Sequence, residues 1–298
     1  MSHIPYQLLP DGYFRWLYKG DQPYHKPFFE DDIRRFRSLP ENRHPYQSLS
    51  SPESLIEWAS QIEAPPPAAL IFHVSRCGST LLGQALAEDE QQIVLPEVPL
   101  LDELLRANAG PLLFTSVISL LSKKRTGHET HSWIKLDSWH LFYYEQLRAA
   151  FPQVPFILLC REPAPVFASH RRQRGIQAVP GMLPAALFGW QQEEVMHWQQ
   201  DLYLARLLEK YYRQIHHILQ KDAHSTLLHY QPSLRPMLEQ LFSCCGITPT
   251  DILLEKMVAR GAKNAKHPHE LFREAPVLEK IPEYLAPAEA AYLQLRIK

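Results

Sequence analysis

The chain has 298 residues, of which 45% are hydrophobic and 21% charged, enough to fill the core of one large α/β domain with additions. A net charge of −1 with neutral His excludes a general nucleic-acid binder, which carries a strong basic excess. No run of about 18 apolar residues and no basic-then-apolar opening segment occurs, so neither a membrane span nor a secretory signal is expected.

Residues 1–67 read differently from the rest. Tyr13, Phe14, Trp16, Leu17 and Tyr18 form an aromatic cluster, followed by Phe28 and Phe29. Ile33, Phe36 and Leu39 recur at rough helical spacing, with Asp31 and Asp32 suited to that helix's first turn. A second helix is expected over 52–61 with Ser51 as its cap, and Pro65-Pro66-Pro67 stops it. The segment is expected to be an aromatic arm packed on the main domain. One wall of an acceptor pocket is the functional alternative.

The central signal is the run Ala69-Leu70-Ile71-Phe72-His73-Val74. It breaks at Ser75-Arg76-Cys77-Gly78-Ser79-Thr80 and resumes as Leu81, Leu82, Ala85 and Leu86 at helical spacing. A buried strand, a tight loop and a helix start are written this way. The N–H groups of Ser79, Thr80 and Leu81 then lie at a helix N-terminus, where unpaired donors and the helix dipole stabilise an anion. Arg76 adds a charge-assisted fork. An ordinary capped turn is the simpler alternative. A Walker loop, G-x-x-x-x-G-K-[ST], does not fit: the first glycine is missing and Ser79 stands in place of the lysine. A nucleotide with fewer phosphates than a triphosphate fits better. Cys77 is either a thiol of lowered pKa or a small buried filler.

Ile93-Val94-Leu95, ended by Pro96, reads as the second strand. It puts Glu97 at its carboxyl end, the edge where open parallel sheets bind ligands. Glu97 is a candidate general base, or else a cap for a helix over 98–108. A further helix over 111–124 ends in Lys123-Lys124-Arg125, with Gly127 as a stop. Trp133-Ile134-Lys135-Leu136-Asp137 is the third strand, and a lysine inside it needs an anion or water for its ammonium. His140 either reaches that site or caps the helix running to Ala150.

The run from Pro155 to Cys160 is the fourth strand, and Pro163 suits the first turn of the helix after it. Arg161 is followed eight residues later by Ser169, a guanidinium fork and a short hydroxyl suited to a dianionic phosphate. Pairing of Arg161 with Glu162 is the plainer option. Residues 175–187 read as a loop able to cover the site, and 189–220 as one long helix. His216 and His217 are adjacent there and point to different faces, which makes a poor metal pair. Thr226-Leu227-Leu228-His229-Tyr230 is the fifth strand, followed by helices from Pro232 and over 251–259. The four cysteines, Cys77, Cys160, Cys244 and Cys245, lack zinc or disulfide spacing and suit a reducing compartment.

Ser75-Arg76-Cys77-Gly78-Ser79-Thr80-Leu81-Leu82 resembles the 5′-phosphosulfate loop of the sulfotransferases, K/R-S-G-[ST]-T before an apolar helix, with Cys77 where serine is usual. LLCREPAPVFASHRRQ resembles their 3′-phosphate signature, L-x-R-[DE]-P and then a helical serine. The resemblance spans residues 69–261 and is weak beyond Tyr230. It implies a P-loop-like α/β/α fold, the donor 3′-phosphoadenylyl sulfate, the product adenosine 3′,5′-bisphosphate, and no metal. It implies that Arg76, Cys77, Gly78, Ser79, Thr80 and Leu81 hold the 5′ side, and Arg161 and Ser169 the 3′-phosphate. Arg260 and Gly261, with Lys263 as a substitute, loosely match the family's late basic loop; a helix C-cap is the alternative.

Lys135-Leu136-Asp137 stands where cytosolic members carry K-T-H, so lysine is kept and the histidine position is Asp137. Glu97, 21 residues after Arg76, resembles the base of the tyrosylprotein branch in its spacing. The resemblance therefore implies Lys135 on the leaving oxygen and Glu97, Asp137 or His140 as base.

The expected architecture is a three-layer α/β/α fold with a central parallel sheet over 68–263, the arm over 1–67, and a peripheral tail over 264–298. The expected function is sulfuryl transfer to a hydroxyl or amine of a small-molecule or peptide acceptor in the cytoplasm, without nucleic acid, membrane or metal. A kinase-like phosphotransferase and a non-catalytic nucleotide-binding scaffold are the rivals.

Overall fold

Five apolar runs become the five strands of one parallel sheet. The structure, a computed structural model, describes residues 2–261, 263 and 280–296. In chain order the elements are β1 (His3–Leu8), β2 (Phe14–Tyr18), α1 (Phe29–Arg37), β3 (Ser48–Ser50), α2 (Pro52–Ser60), β4 (Pro67–His73) and α3 (Ser79–Leu86). Then come β5 (Gln92–Pro96), α4 (Pro99–Arg106), α5 (Pro111–Leu121), β6 (His131–Lys135), α6 (Tyr144–Ala150), β7 (Phe156–Cys160) and α7 (Pro163–Arg172). The last are α8 (Gln192–His197), α9 (Gln200–Lys221), β8 (Ser225–His229), α10 (Leu234–Cys244), α11 (Asp251–Gly261) and α12 (Ala286–Leu295).

The main sheet has the order β5-β6-β4-β7-β8, and every neighbouring pair is parallel. Parallel strands need covered faces, and alternation along each strand assigns the cover. Trp133 meets Phe242 of α10 edge-on at 5.7 Å between centroids, so α10 lies on one face. Phe156, of opposite parity in the register, meets Tyr144 of α6 at 6.0 Å on the other. The chain is thus a layered α/β/α structure with a central parallel sheet. Full burial of Leu70, Phe72, Ile134, Leu158 and their neighbours removes the apolar surface that holds the layers together, at roughly 1.5–3 kcal/mol per large side chain.

Register also aims the functional side chains. Ile71 pairs with Lys135, so His73, two residues on, shares the face of Lys135. Pro96 pairs with Lys135 on the other side, which brings Glu97 next to the end of β6. The crossover sends β4 and β7 side by side, so the loop after β4 lies at the point where the strand order reverses.

The N-terminal segment is a three-stranded antiparallel sheet, β1-β2-β3, where the sequence suggested only an aromatic arm. Phe14 and Trp16 are buried, and the Trp16 Nε1–H donates to Ser50 Oγ at 2.8 Å. The Leu8 N–H donates to the Glu103 carboxylate at 2.5 Å, tying the small sheet to α4. Helix α2 begins at Pro52 with the Ser51 hydroxyl accepting the Ser54 N–H at 3.3 Å.

The single helix expected over 189–220 is two. Trp198 is extended, with ψ of 139°, and its ring meets Trp190 edge-on at 5.2 Å between centroids, a contact that an unbroken helix does not allow. The tail expected over 264–298 is not peripheral where it is described: α12 buries Ala288, Ala291, Tyr292 and Leu295, with Tyr292 against Tyr212 of α9 at 5.5 Å. Asn264 and the rest of 264–279, together with 297–298, lie outside the described residues. Among the described residues, no helix is long and apolar enough to cross a membrane.

Candidate functional site at the carboxyl edge of the sheet

The loop between β4 and α3 turns by left-handed residues, Ser75 at φ 64°, Arg76 at 50° and Gly78 at 87°. Gly78 has a second constraint: a Cβ there would lie 2.8 Å from the Tyr230 ring. Helix α3 starts at Ser79, so Ser79, Thr80 and Leu81 supply first-turn N–H groups that have no acceptor within the helix. Cys77 is fully buried, and burial pushes its thiol up to about 11. It is therefore the small filler of the two roles open to it, not a reactive thiolate. Arg76 is half-buried, and its guanidinium donates to the Gln173 carbonyl just past α7.

Arg161 follows β7, its guanidinium 4.2 Å over the Tyr230 ring, and its backbone carbonyl accepts the Tyr212 hydroxyl at 2.8 Å. Ser169 is half-buried on α7, the helix that begins two residues after Arg161. Tyr230 thus lies between the glycine loop and Arg161. Gly78, Leu81, Tyr230, Met237 and Gly261 line an open groove of about 200 Å³. Arg260 faces elsewhere: its guanidinium donates to Gln84 Oε1 on α3 at 3.1 Å and lies 3.9 Å from Glu88.

Three side chains converge at the ends of β5, β6 and β4. The Lys135 ammonium, fully buried, donates to Glu97 Oε1, and His73 Nε2 lies 3.4 Å from the same oxygen. His73 Nδ1 accepts the Ser75 N–H at 3.0 Å, which leaves the ring hydrogen of a neutral imidazole on Nε2, toward Glu97. Burial pushes the Glu97 carboxyl up, but the Lys135 ammonium and the His73 ring outweigh it and hold it at about 2. Burial lowers the His73 pKa, so the ring is neutral.

Asp137 and His140 belong to a neighbouring cluster. His140 is fully buried; its Nδ1 accepts the Asp137 N–H at 3.3 Å, and its Nε2 lies 3.1 Å from Asp102. Trp139 and Arg106 also donate to the Asp102 carboxylate, each at 2.6 Å. Burial opposes ionisation of Asp102, yet His140, Arg106 and Trp139 hold it at about 2. Burial raises the Asp137 carboxyl to about 7, against the pull of His140. His140 thus ties the turn Ser138–Tyr143 to α4 and is not directed at the Glu97–Lys135 pair.

The structure therefore brings together Arg76, Gly78, Ser79, Thr80 and Leu81 in one loop, and Glu97 with Lys135. It sets Asp137 and His140 one step away and turns Arg260 toward α3. Sequence reading missed His73, Asp102 and Tyr230 as parts of these clusters. A polar residue closing an apolar strand was the available signal for His73, whereas Asp102 looks like any acidic helix residue. Among the described residues, no group of three or more His, Cys, Asp or Glu is arranged to hold a metal ion.

No family model matches the sequence, and no curated protein matches it. Among solved structures, the chain is similar to the sulfotransferase domain from the curacin biosynthetic pathway, at 15% identity over 78% of this chain and 99% of that one, with a TM-score of 0.49. It is similar to the sulfotransferase domain from the Synechococcus olefin synthase at 14% identity, 78% and 96% coverage and a TM-score of 0.49. A sulfotransferase from Mycobacterium avium matches at 13% identity, 82% and 81% coverage and a TM-score of 0.48.

Proposed function

We propose that the chain transfers a sulfuryl group from 3′-phosphoadenylyl sulfate to the hydroxyl or amine of a small-molecule or peptide acceptor. One observation carries the reading. Along a single sheet edge, in the order β5, β6, β4, β7, the strand ends present Glu97, Lys135, the glycine loop with Arg76, and Arg161. That order sets a proton acceptor and a cation beside two separate stations for phosphate or sulfate oxygens.

The residues fit the nucleotide. Gly78 has no room for a side chain, and the groove beside it is bounded by Tyr230, whose other partner is the Arg161 guanidinium. When bound, the donor supplies a sulfuryl group activated by its link to phosphate. Arg76 and the first-turn N–H groups of α3 would hold the 5′ side, and Arg161 with Ser169 the 3′-phosphate. Lys135 would neutralise charge developing on the bridging oxygen. Glu97 would take the acceptor proton as the bond from acceptor to sulfur forms and the bond from sulfur to the bridging oxygen breaks, leaving adenosine 3′,5′-bisphosphate. Glu97 at about 2 is a weak base while Lys135 holds it. Withdrawal of the ammonium toward the donor would raise its proton affinity at the step that needs it. This assignment keeps the tyrosylprotein-like spacing of 21 residues from Arg76 to Glu97. Asp137, raised by burial to about 7, is the second candidate base. The four cysteines carry no disulfide, which suits the cytoplasm as the site of action.

Calorimetry with adenosine 3′,5′-bisphosphate and with AMP tests the reading. Loss of hydrogen bonds to a charged phosphate costs about 2–3 kcal/mol, so the bisphosphate binds roughly a hundredfold more tightly. Equal affinities would remove the 3′-phosphate station and the donor with it.

A further inference from the structure

We propose that a second, separate anion site lies under the N-terminal sheet, built on Lys19 with Lys123 and Arg125, and that it takes a tetrahedral oxyanion of the sulfate or phosphate class.

Lys19 follows β2 and is only 5% exposed. Its backbone N–H donates to the Ser2 carbonyl at 2.8 Å, which pins the residue in place. Among the described residues its ammonium has one hydrogen-bonding partner, the Gly20 carbonyl at 3.5 Å, and otherwise lies 5.2 Å from the centroid of the Tyr24 ring. Among the described residues, no carboxylate forms an ion pair with it. A largely buried ammonium without a direct ion pair is unfavourable, because it has lost much of its water and has only distant counter-charge.

The surroundings supply that charge only in part: Asp21 and Glu129 favour the ammonium, but burial, Arg125 and Arg35 outweigh them. Lys19 lines two adjoining cavities. One is bounded by Tyr24, Gln92, Ile93, Val94, Lys123 and Arg125, with no acid among its described lining residues. The other adds Lys124, Ser2 and His3, with Asp21 as the acid on its lining. The remaining neighbouring acids are committed. Glu129 accepts from the backbone N–H groups of Arg125 and Thr126 and pairs with Arg125 Nε at 3.1 Å, and Glu63 pairs with Lys124. Burial and the nearby Arg125 lower the Lys19 pKa to about 8, as expected of a cation facing cations. A bound oxyanion would accept from Lys19 and be shared with Lys123 and Arg125, relieving that repulsion. Both cavities are small and open to solvent, too small for a nucleotide, so an oxyanion would sit at their mouth, where Lys123 and Arg125 also line the surface. The site is apart from the transfer machinery: its sheet residue Gln92 begins β5, whereas Glu97 follows the other end of that strand.

The test uses the full chain, with inorganic sulfate as the probe. Titration in an anion-poor buffer raises the wild-type melting temperature, by roughly 3 °C at about ten times the dissociation constant. Sulfate can also enter the glycine loop, so the reading is the difference between wild type and Lys19→Met. The variant is at least as stable as wild type without sulfate, since an unpaired buried charge is gone, and it gains less from sulfate. Lys19→Gln behaves the same way if the methionine variant folds poorly. A selenate soak gives an anomalous peak beside Lys19 in wild-type crystals and none in the variant. Equal sulfate gains in wild type and both variants, or selenate at the glycine loop alone, would overturn the proposal.

Discussion

Lys135 and Glu97 are joined twice. The Lys135 ammonium donates to Glu97 Oε1, and the Lys135 carbonyl accepts the Glu97 N–H at 2.7 Å. Glu97 is meanwhile held at φ 54°, a left-handed conformation that side-chain-bearing residues seldom adopt. Such strain persists only where the surroundings over-determine it, and here both the backbone and the side chain are tied to the next strand. The arrangement holds a carboxylate and an ammonium against each other at the sheet edge.

Glu97→Gln is expected to lower kcat by roughly 10²–10⁴ while the fold and the affinity for adenosine 3′,5′-bisphosphate are kept. Asp137→Asn costs less in kcat. His140→Ala lowers the melting temperature more than it lowers kcat, because the fully buried ring is bound between Asp102 and Asp137. Turnover, product-nucleotide affinity and melting temperature measured on all three variants check this. Normal turnover by Glu97→Gln beside an inactive Asp137→Asn would move the base to Asp137.

A pH effect on stability follows from Asp137, whose carboxyl burial pushes up to about 7 against an unfolded value of about 3.9. Between those values the folded chain holds a proton that the unfolded chain has lost. The contribution of Asp137 is therefore full below about pH 4, declines as pH rises, and is gone above about 7. Glu97 and Asp102, both held at about 2, work in the opposite sense: their contribution is present above about pH 4 and is lost as pH falls toward 2. Asp137→Asn removes the first effect alone. Its melting temperature relative to wild type should rise from pH 5 to pH 8, and parallel curves would refute the assignment.

Gly78→Ala combines a left-handed backbone with a Cβ 2.8 Å from the Tyr230 ring. The expected loss is about 1–3 kcal/mol of stability for the strained backbone, together with weaker nucleotide binding as the ring or the loop shifts. Denaturant unfolding and calorimetry measure the two effects. Repeating the substitution in a Tyr230→Ala background separates them: the backbone cost remains and the clash is removed. An identical loss in both backgrounds would show that the ring moves freely.

Local chemistry made the five core strands legible. Runs such as Phe156 to Cys160 are apolar and bounded by proline or polar residues, and they form strands within a residue or two of the expected limits. The glycine loop was legible for the same reason, since a strand, a turn and a helix start leave their marks within fourteen neighbouring residues, 69–82. Arg161 stood out as a charge just past an apolar strand, and Lys135 as a charge inside one. The small sheet was not legible, because β3 has only three residues, β1 and β3 each pair only with β2, and partner choice leaves little trace in the strands themselves.

Sequence by itself determined which residues form strands, which loop turns through glycine, and which charges stand at strand ends, because backbone sterics and apolar spacing act over a few residues. Only the tertiary structure decided which of those ends meet. The order β5-β6-β4-β7-β8 puts Glu97 beside Lys135 and His73, although they are 38 and 24 positions apart in the chain. It leaves Asp137 with His140 and Asp102, and Arg260 on Gln84 of α3. The packing of the small sheet likewise buries Lys19 without an ion-paired carboxylate among the described residues. Electrostatic partnership depends on distances of a few ångströms and on exclusion of water, and both are set by strand pairing and packing rather than by neighbours along the chain.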